Sequence, residues 1–129
     1  MALTGLYYNH KTFVQSKDLE EAKFWLQLRT DFFRYNNIHE KLLTNRQWNA
    51  NDDIAGLYGY LGQFELCNSM LESKIISLET FKNQYKYRLE ILLRNQSVRE
   101  RLINDTRENW RDLNNLLAKV GLEYPTSSE

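Results

Sequence analysis

A single proline, Pro125, stands in this chain of 129 residues, and it lies in the tail. Proline is the residue that most firmly interrupts a helix, so everything before it is free to form long helices. The apolar residues use that freedom. They recur with the pitch of about 3.6 residues expected of helices with one buried face. The expectation is an all-α fold: an antiparallel helical bundle of about four to five helices with a short N-terminal arm. Residues 1–129 read as one domain, because a chain of this length buries roughly two thirds of its unfolded surface without staples. A hydrophobic fraction of 42% and an aromatic fraction of 13% are incompatible with a disordered chain.

Residues 1–15 fit two readings, since Leu6, Tyr7, Tyr8, Phe13 and Val14 suit an extended arm or a short helix. The first strong helix is expected from Asp18, with Glu21 completing a capping box. Its stripe is Ala22, Trp25, Leu26, Phe32 and Phe33, widened by Phe24, Leu28 and Tyr35, with Arg29 in the middle. Asn36 and Asn37 end or bend it, and a shorter helix follows through Ile38, Leu42 and Leu43 towards Trp48. Asn51, Asp52 and Asp53 offer a cap and negative charge to a helix over about 54–72. That helix is apolar nearly all round, which marks it as central. Its glycines imply close approach of a neighbouring helix along Ala55, Gly59 and Gly62. Ser77 caps a fourth helix over about 78–94. Ser97-Val98-Arg99-Glu100 has the capping-box pattern and starts a fifth, running to about Lys119 and stopped by Gly121. Its stripe is Val98, Leu102, Ile103, Trp110, Leu113, Leu116, Leu117 and Val120. Residues 122–129 are expected to fray.

Lysine and arginine total 17, as do aspartate and glutamate, so the formal net charge is zero. Bulk charge therefore does not direct the chain to nucleic acid or an anionic membrane, and it opposes self-association little. Cys67 is the one cysteine, so neither an internal disulfide nor a thiolate metal cluster can form. No apolar run approaches the roughly 18 residues that span a bilayer. Met1 to Asn9 lacks the pattern of a signal peptide. A cytoplasmic protein of bacterial or phage origin is expected, which makes the sequons at Asn95 and Asn104 chance matches.

Most catalytic patterns fail on spacing. His39-Glu40-Lys41-Leu42-Leu43 opens like a zinc-protease helix, but Leu43 occupies the place of the second histidine. A helical di-iron site needs glutamate three residues before histidine, and Asn36 and Tyr7 stand there instead. Gly56, Gly59 and Gly62 fit neither phosphate-binding glycine motif. Cys67 reads as a small core residue. No catalytic residue, metal site or cofactor is expected. Three polar residues fall where a core should be: Arg29, Glu65 and Asn68. A buried charge needs a partner, so Glu65 is expected to contact Arg29 or Arg88 between helices. The pair serves either as a structural link or, with Tyr60, as part of a binding pocket. The segment 81–101 carries Lys82, Lys86, Arg88, Arg94, Arg99 and Arg101 against Glu90 and Glu100. It is either a solvated face, complemented by the acidic stretch 51–80, or a nucleic-acid surface.

The run Leu57-Tyr58-Gly59-Tyr60-Leu61-Gly62-Gln63-Phe64-Glu65 is followed by Ile75-Ile76-Ser77-Leu78-Glu79-Thr80-Phe81 and Tyr87-Arg88, then by Trp110 and Leu116-Leu117. Over about residues 48–120 this resembles an uncharacterised bacterial all-helical family, a domain of unknown function. The resemblance implies a helical fold and a prokaryotic or phage origin, and it brings no activity or site residue. The expected function is that of a non-enzymatic interaction or regulatory protein whose partner is another protein or a second copy, as a homodimer. One variant is a phage or mobile-element inhibitor of a host nucleic-acid-binding protein. Another class is a nucleic-acid-binding module using residues 82–101.

Overall fold

The computed structural model describes the backbone of residues 2–126 and the side chains of residues 18–126. Among the described residues it is all-helical, with six α-helices rather than four to five. They are α1 (Ala2–Phe33), α2 (Asn36–Thr44), α3 (Ile54–Glu72), α4 (Leu78–Leu93), α5 (Gln96–Asn104) and α6 (Arg111–Lys119), with a 3-10 turn at Ala50–Asp53 ahead of α3.

The expected N-terminal arm is instead the beginning of α1, whose 32 residues reach about 48 Å at 1.5 Å per residue. Asp18 lies inside this helix and caps nothing, because Ser16, Lys17 and Asp18 continue the helical backbone. The side chains expected to pack from residues 1–15 lie outside the described residues. Glu21 is used differently, its Oε1 accepting from Trp25 Nε1 and from the Ser77 backbone N–H, each at 3.3 Å. It thereby ties α1 to the cap of α4.

α3 is the centre of the molecule. Leu57, Tyr60, Leu61, Phe64, Cys67 and Leu71 are all buried, as their helical spacing predicts. α6 packs most extensively against it, with α1 and α2 at its other sides. Phe32 of α1 joins the core through Tyr85, with ring centroids 4.5 Å apart, and through Phe64 at 5.0 Å. The expected close approach at Ala55, Gly59 and Gly62 is not found. Ala55 and Gly62 face solvent, and only Gly59 is tightly overlain. A Cβ there would sit 2.9 Å from the Tyr35 ring, so glycine makes room for an aromatic side chain rather than for a helix backbone.

The caps explain the remaining boundaries. Asp53 Oδ1 accepts from Gly56 N–H at 3.0 Å, and Ser77 Oγ from Thr80 N–H at 3.1 Å. The expected single helix after Ser97 is broken in two. Asp105 takes an extended conformation at the end of α5. Its Oδ2 accepts from the Tyr58 hydroxyl at 2.8 Å and from Trp110 Nε1 at 3.1 Å. One long-range bond and one local bond to the same carboxylate hold the break that helix periodicity conceals. Ser97 is not the cap of α5. That role belongs to buried Asn95, whose Oδ1 accepts from Val98 N–H at 3.1 Å. Gly121, at φ +83°, closes α6. Its N–H reaches Ala118 O, and Leu122 N–H reaches Leu117 O, the paired bonds of a Schellman motif. The tail is held as far as Tyr124, which is buried and donates to Leu102 O at 3.0 Å; residues 127–129 lie outside the described part.

Candidate functional site

The helix periodicity of α1 misplaces several side chains. Arg29, expected mid-stripe, is exposed, and so are Leu26 at 65% and Phe33 at 73%. The buried positions are Leu28 and Phe32, on the opposite side of the helix. Leu19, 59% exposed, lies seven residues before Leu26, which lies seven before Phe33. These three form an apolar line on the face of α1 turned away from the core.

Glu65 pairs with neither arginine. Its Oε2 accepts from the Leu113 backbone N–H at 3.3 Å. Leu113 is in the first turn of α6, and Trp110 at the start of that helix supplies no side-chain cap. Glu65 therefore caps α6 from a different helix, and an N-terminal carboxylate is favourable there through both the N–H and the helix dipole. Burial holds the Glu65 carboxyl above its usual range despite that bond, and nearby Asp112 adds to the rise. Among the described residues the one ion pair is Lys119–Glu72 at 3.1 Å. Asn68, fully buried as expected, joins it. Its Nδ2 donates to Glu72 at 3.1 Å, and its Oδ1 accepts from Lys119.

Arg88 and Tyr60 do come together, beside α2. Arg88 lies over the Phe32 ring at 5.5 Å and donates from Nη2 to Asn36 Oδ1 at 3.5 Å. Its Nε and Nη1, like the buried Tyr60 hydroxyl, find no hydrogen-bond partner. Burial pushes the Tyr60 phenol up to about 12 even though the Arg88 guanidinium stabilises its anion. His39, buried in the same region, packs edge-on to Tyr87 at 5.8 Å. Burial first, and Arg88 second, holds its imidazole below the usual 6.5. Cys67 is buried and pushed up to about 12, chiefly by burial, which leaves its thiol protonated and unreactive at neutral pH.

The basic segment divides. Lys82 lies exposed on α4, and Lys86 is half-buried beside Gly121. Arg94 and Arg99 instead line a cleft of about 730 Å³ between the loop after α2 and the first turn of α5, with Arg46, Trp48, Gln47, Asn49, Asn51, Gln96, Ser97 and Glu100. Arg101 stands at its rim, its Nη2 donating to Asn51 Oδ1 at 2.6 Å. Arg94 Nη2 donates to Leu43 O at 2.9 Å and Leu42 O at 3.4 Å, and Arg99 Nη1 to Leu93 O at 3.0 Å. Both guanidiniums are thus fixed at the carbonyl ends of α2 and α4. The cleft floor is fixed too. Asn95 Nδ2 donates to Arg46 O at 3.1 Å and Trp48 O at 2.9 Å, while Ser97 Oγ accepts from Ala50 N–H at 2.8 Å.

No family model, curated protein or solved structure matches this chain. Its candidate sites are two features of its surface: the apolar line on α1 and the arginine cleft. The sequence could not place Arg46 in that cleft, because Arg46 comes from a loop with no periodicity. No described helix is long and apolar enough to cross a membrane.

Proposed function

We propose that the protein is a non-enzymatic helical interaction module, its helices arranged as antiparallel neighbours in one bundle. Its contact surface is the outer face of α1, covered by a second copy of the chain. The observation that carries this reading is the exposure of Leu19, Leu26 and Phe33 in a line. A seven-residue repeat is the spacing at which two helices stay in contact along their length, and an identical line on a second copy is self-complementary. The equal numbers of acidic and basic residues leave little long-range repulsion between copies.

Charge supports an antiparallel arrangement. A parallel pair would set Arg29 against its own counterpart. Antiparallel pairing about Leu26 sets Leu19 against Phe33 of the second copy. Asp18 and Arg29, eleven residues apart, lie within about 20° of each other on the helix, so in this register Asp18 is on the flank of the second copy's Arg29, offset from it by about 7.5 Å along the axis.

Light scattering across a concentration series tests this. The expected result is a dimer that becomes monomeric in the Leu26→Glu, Phe33→Ser double variant without loss of helical circular dichroism. A wild-type monomer throughout would end the dimer reading.

A further inference from the structure

We infer that the cleft between the loop after α2 and the start of α5 binds the phosphate group of a nucleotide, free or within a single strand. Three arginines, Arg46, Arg94 and Arg99, line one hollow of about 730 Å³. None of them forms an ion pair with any described carboxylate. Glu100 also lines the cleft, but it accepts from Gln96 Nε2 at 2.9 Å rather than from an arginine. An oxyanion is the ligand that converging, uncompensated guanidiniums recognise, through paired N–H donors.

The arrangement is also prepared in advance. Carbonyls of Leu42, Leu43 and Leu93 hold Arg94 and Arg99 by one nitrogen each. The remaining Nη–H groups keep their direction, while Arg94 Nε is itself buried and takes no part. Fixed donors lose little freedom when a ligand arrives. The volume decides between a bare anion and something larger, since it falls in the range of small-molecule sites, about 300–1,000 Å³. Trp48 lines the wall; Lys41 Nζ lies over one face of its ring at 5.4 Å, and the other face is the aromatic surface on which a base would stack. This inference stands apart from pairing through α1.

Two probes separate the sources of phosphate: ADP by titration calorimetry, and a fluorescein-labelled oligothymidylate of about 12 nucleotides by anisotropy. Binding of either at low salt supports the site, and the probe that binds more tightly names the source. For the oligonucleotide, three guanidiniums predict a log–log salt slope of about −2. Arg46 is exposed and its side chain bonds nothing described, so Arg46→Glu should weaken binding at least tenfold with an unchanged Tm. Lys82→Glu, outside the cleft, should leave binding as it was. The inference is overturned if neither probe binds more tightly than about 1 mM. It is equally overturned if Arg46→Glu has no effect, or if Lys82→Glu weakens binding as much.

Discussion

Two residues in this molecule end helices in the same way, and one of them is the wrong residue for it. Gly121 closes α6 at φ +83°, and Lys74 closes α3 at φ +59°. Lys74 N–H reaches Leu71 O and Ile75 N–H reaches Met70 O, again the Schellman pair. A side chain at positive φ costs about 1 kcal/mol, so Lys74→Gly should raise stability by up to that amount, read as a higher urea midpoint at constant slope. Gly121→Ala should lower it by a similar amount. Buried Asn95 shows the limit of reading single residues. Asn and Ser are both good caps, and the capping-box pattern at Ser97 is genuine as a pattern. What decides is that the Ser97 hydroxyl is taken by Ala50 N–H, with Trp48 O within bonding distance, partners nearly fifty residues away. Asn95→Asp replaces two donors with an anion facing the carbonyls of Arg46 and Trp48. It should cost about 2–4 kcal/mol, measured by the same unfolding experiment.

At the scale of elements, the long helices were legible because burial on one face imposes its period on the sequence. α3 and α4 lie within a residue or so of their expected ends, and the buried line Val98, Leu102, Trp110, Leu113, Leu116 and Leu117 was read in full. What that line could not show is that it runs across two helices. The stripe keeps its phase through a break held by Asp105, whose bond from Tyr58, 47 residues away, leaves no local pattern. The same reasoning explains Glu65. Its place at the edge of the α3 face was visible, but its partner is a backbone N–H of α6, and backbone groups leave no trace in side-chain spacing. Glu65→Gln keeps an acceptor and loses the charge, so it should cost less than Glu65→Ala, which leaves Leu113 N–H unpaired; about 1 kcal/mol is expected for Ala. Hydrogen exchange localised to the first turn of α6 would show it, while global loss of protection would show a different role. On α1 the expected stripe holds Phe32, with Leu28 at its edge, as well as Leu26 and Phe33, and periodicity alone does not say which flank of so broad a stripe meets the core.

For the molecule as a whole, the cluster at α2 and α4 makes stability depend on pH in a definite direction. His39 is buried with Nδ1 unpartnered, and burial together with Arg88 depresses its pKa from 6.5. The unfolded chain therefore binds this proton more readily than the folded one, and unfolding takes up protons as pH drops below 6.5. The stabilisation is complete above that value and is lost as pH falls through the folded-state pKa. Glu65 acts in the opposite sense. Its carboxyl is raised above 4.5, so folding favours its protonated form, and its share of stability declines as pH rises through the folded value. Below about pH 6.5 the histidine makes unfolding free energy fall as pH falls, and His39→Phe, which keeps the edge-on contact with Tyr87 but cannot take a proton, should flatten the curve there. Protein concentration must be held fixed, because pairing through α1 would itself raise the apparent stability by mass action. A Tm that climbs with concentration in the wild type, and not in the Leu26→Glu, Phe33→Ser variant, separates that contribution from the proton-linked one. If the pH slope survived in His39→Phe, the buried imidazole would not be its source.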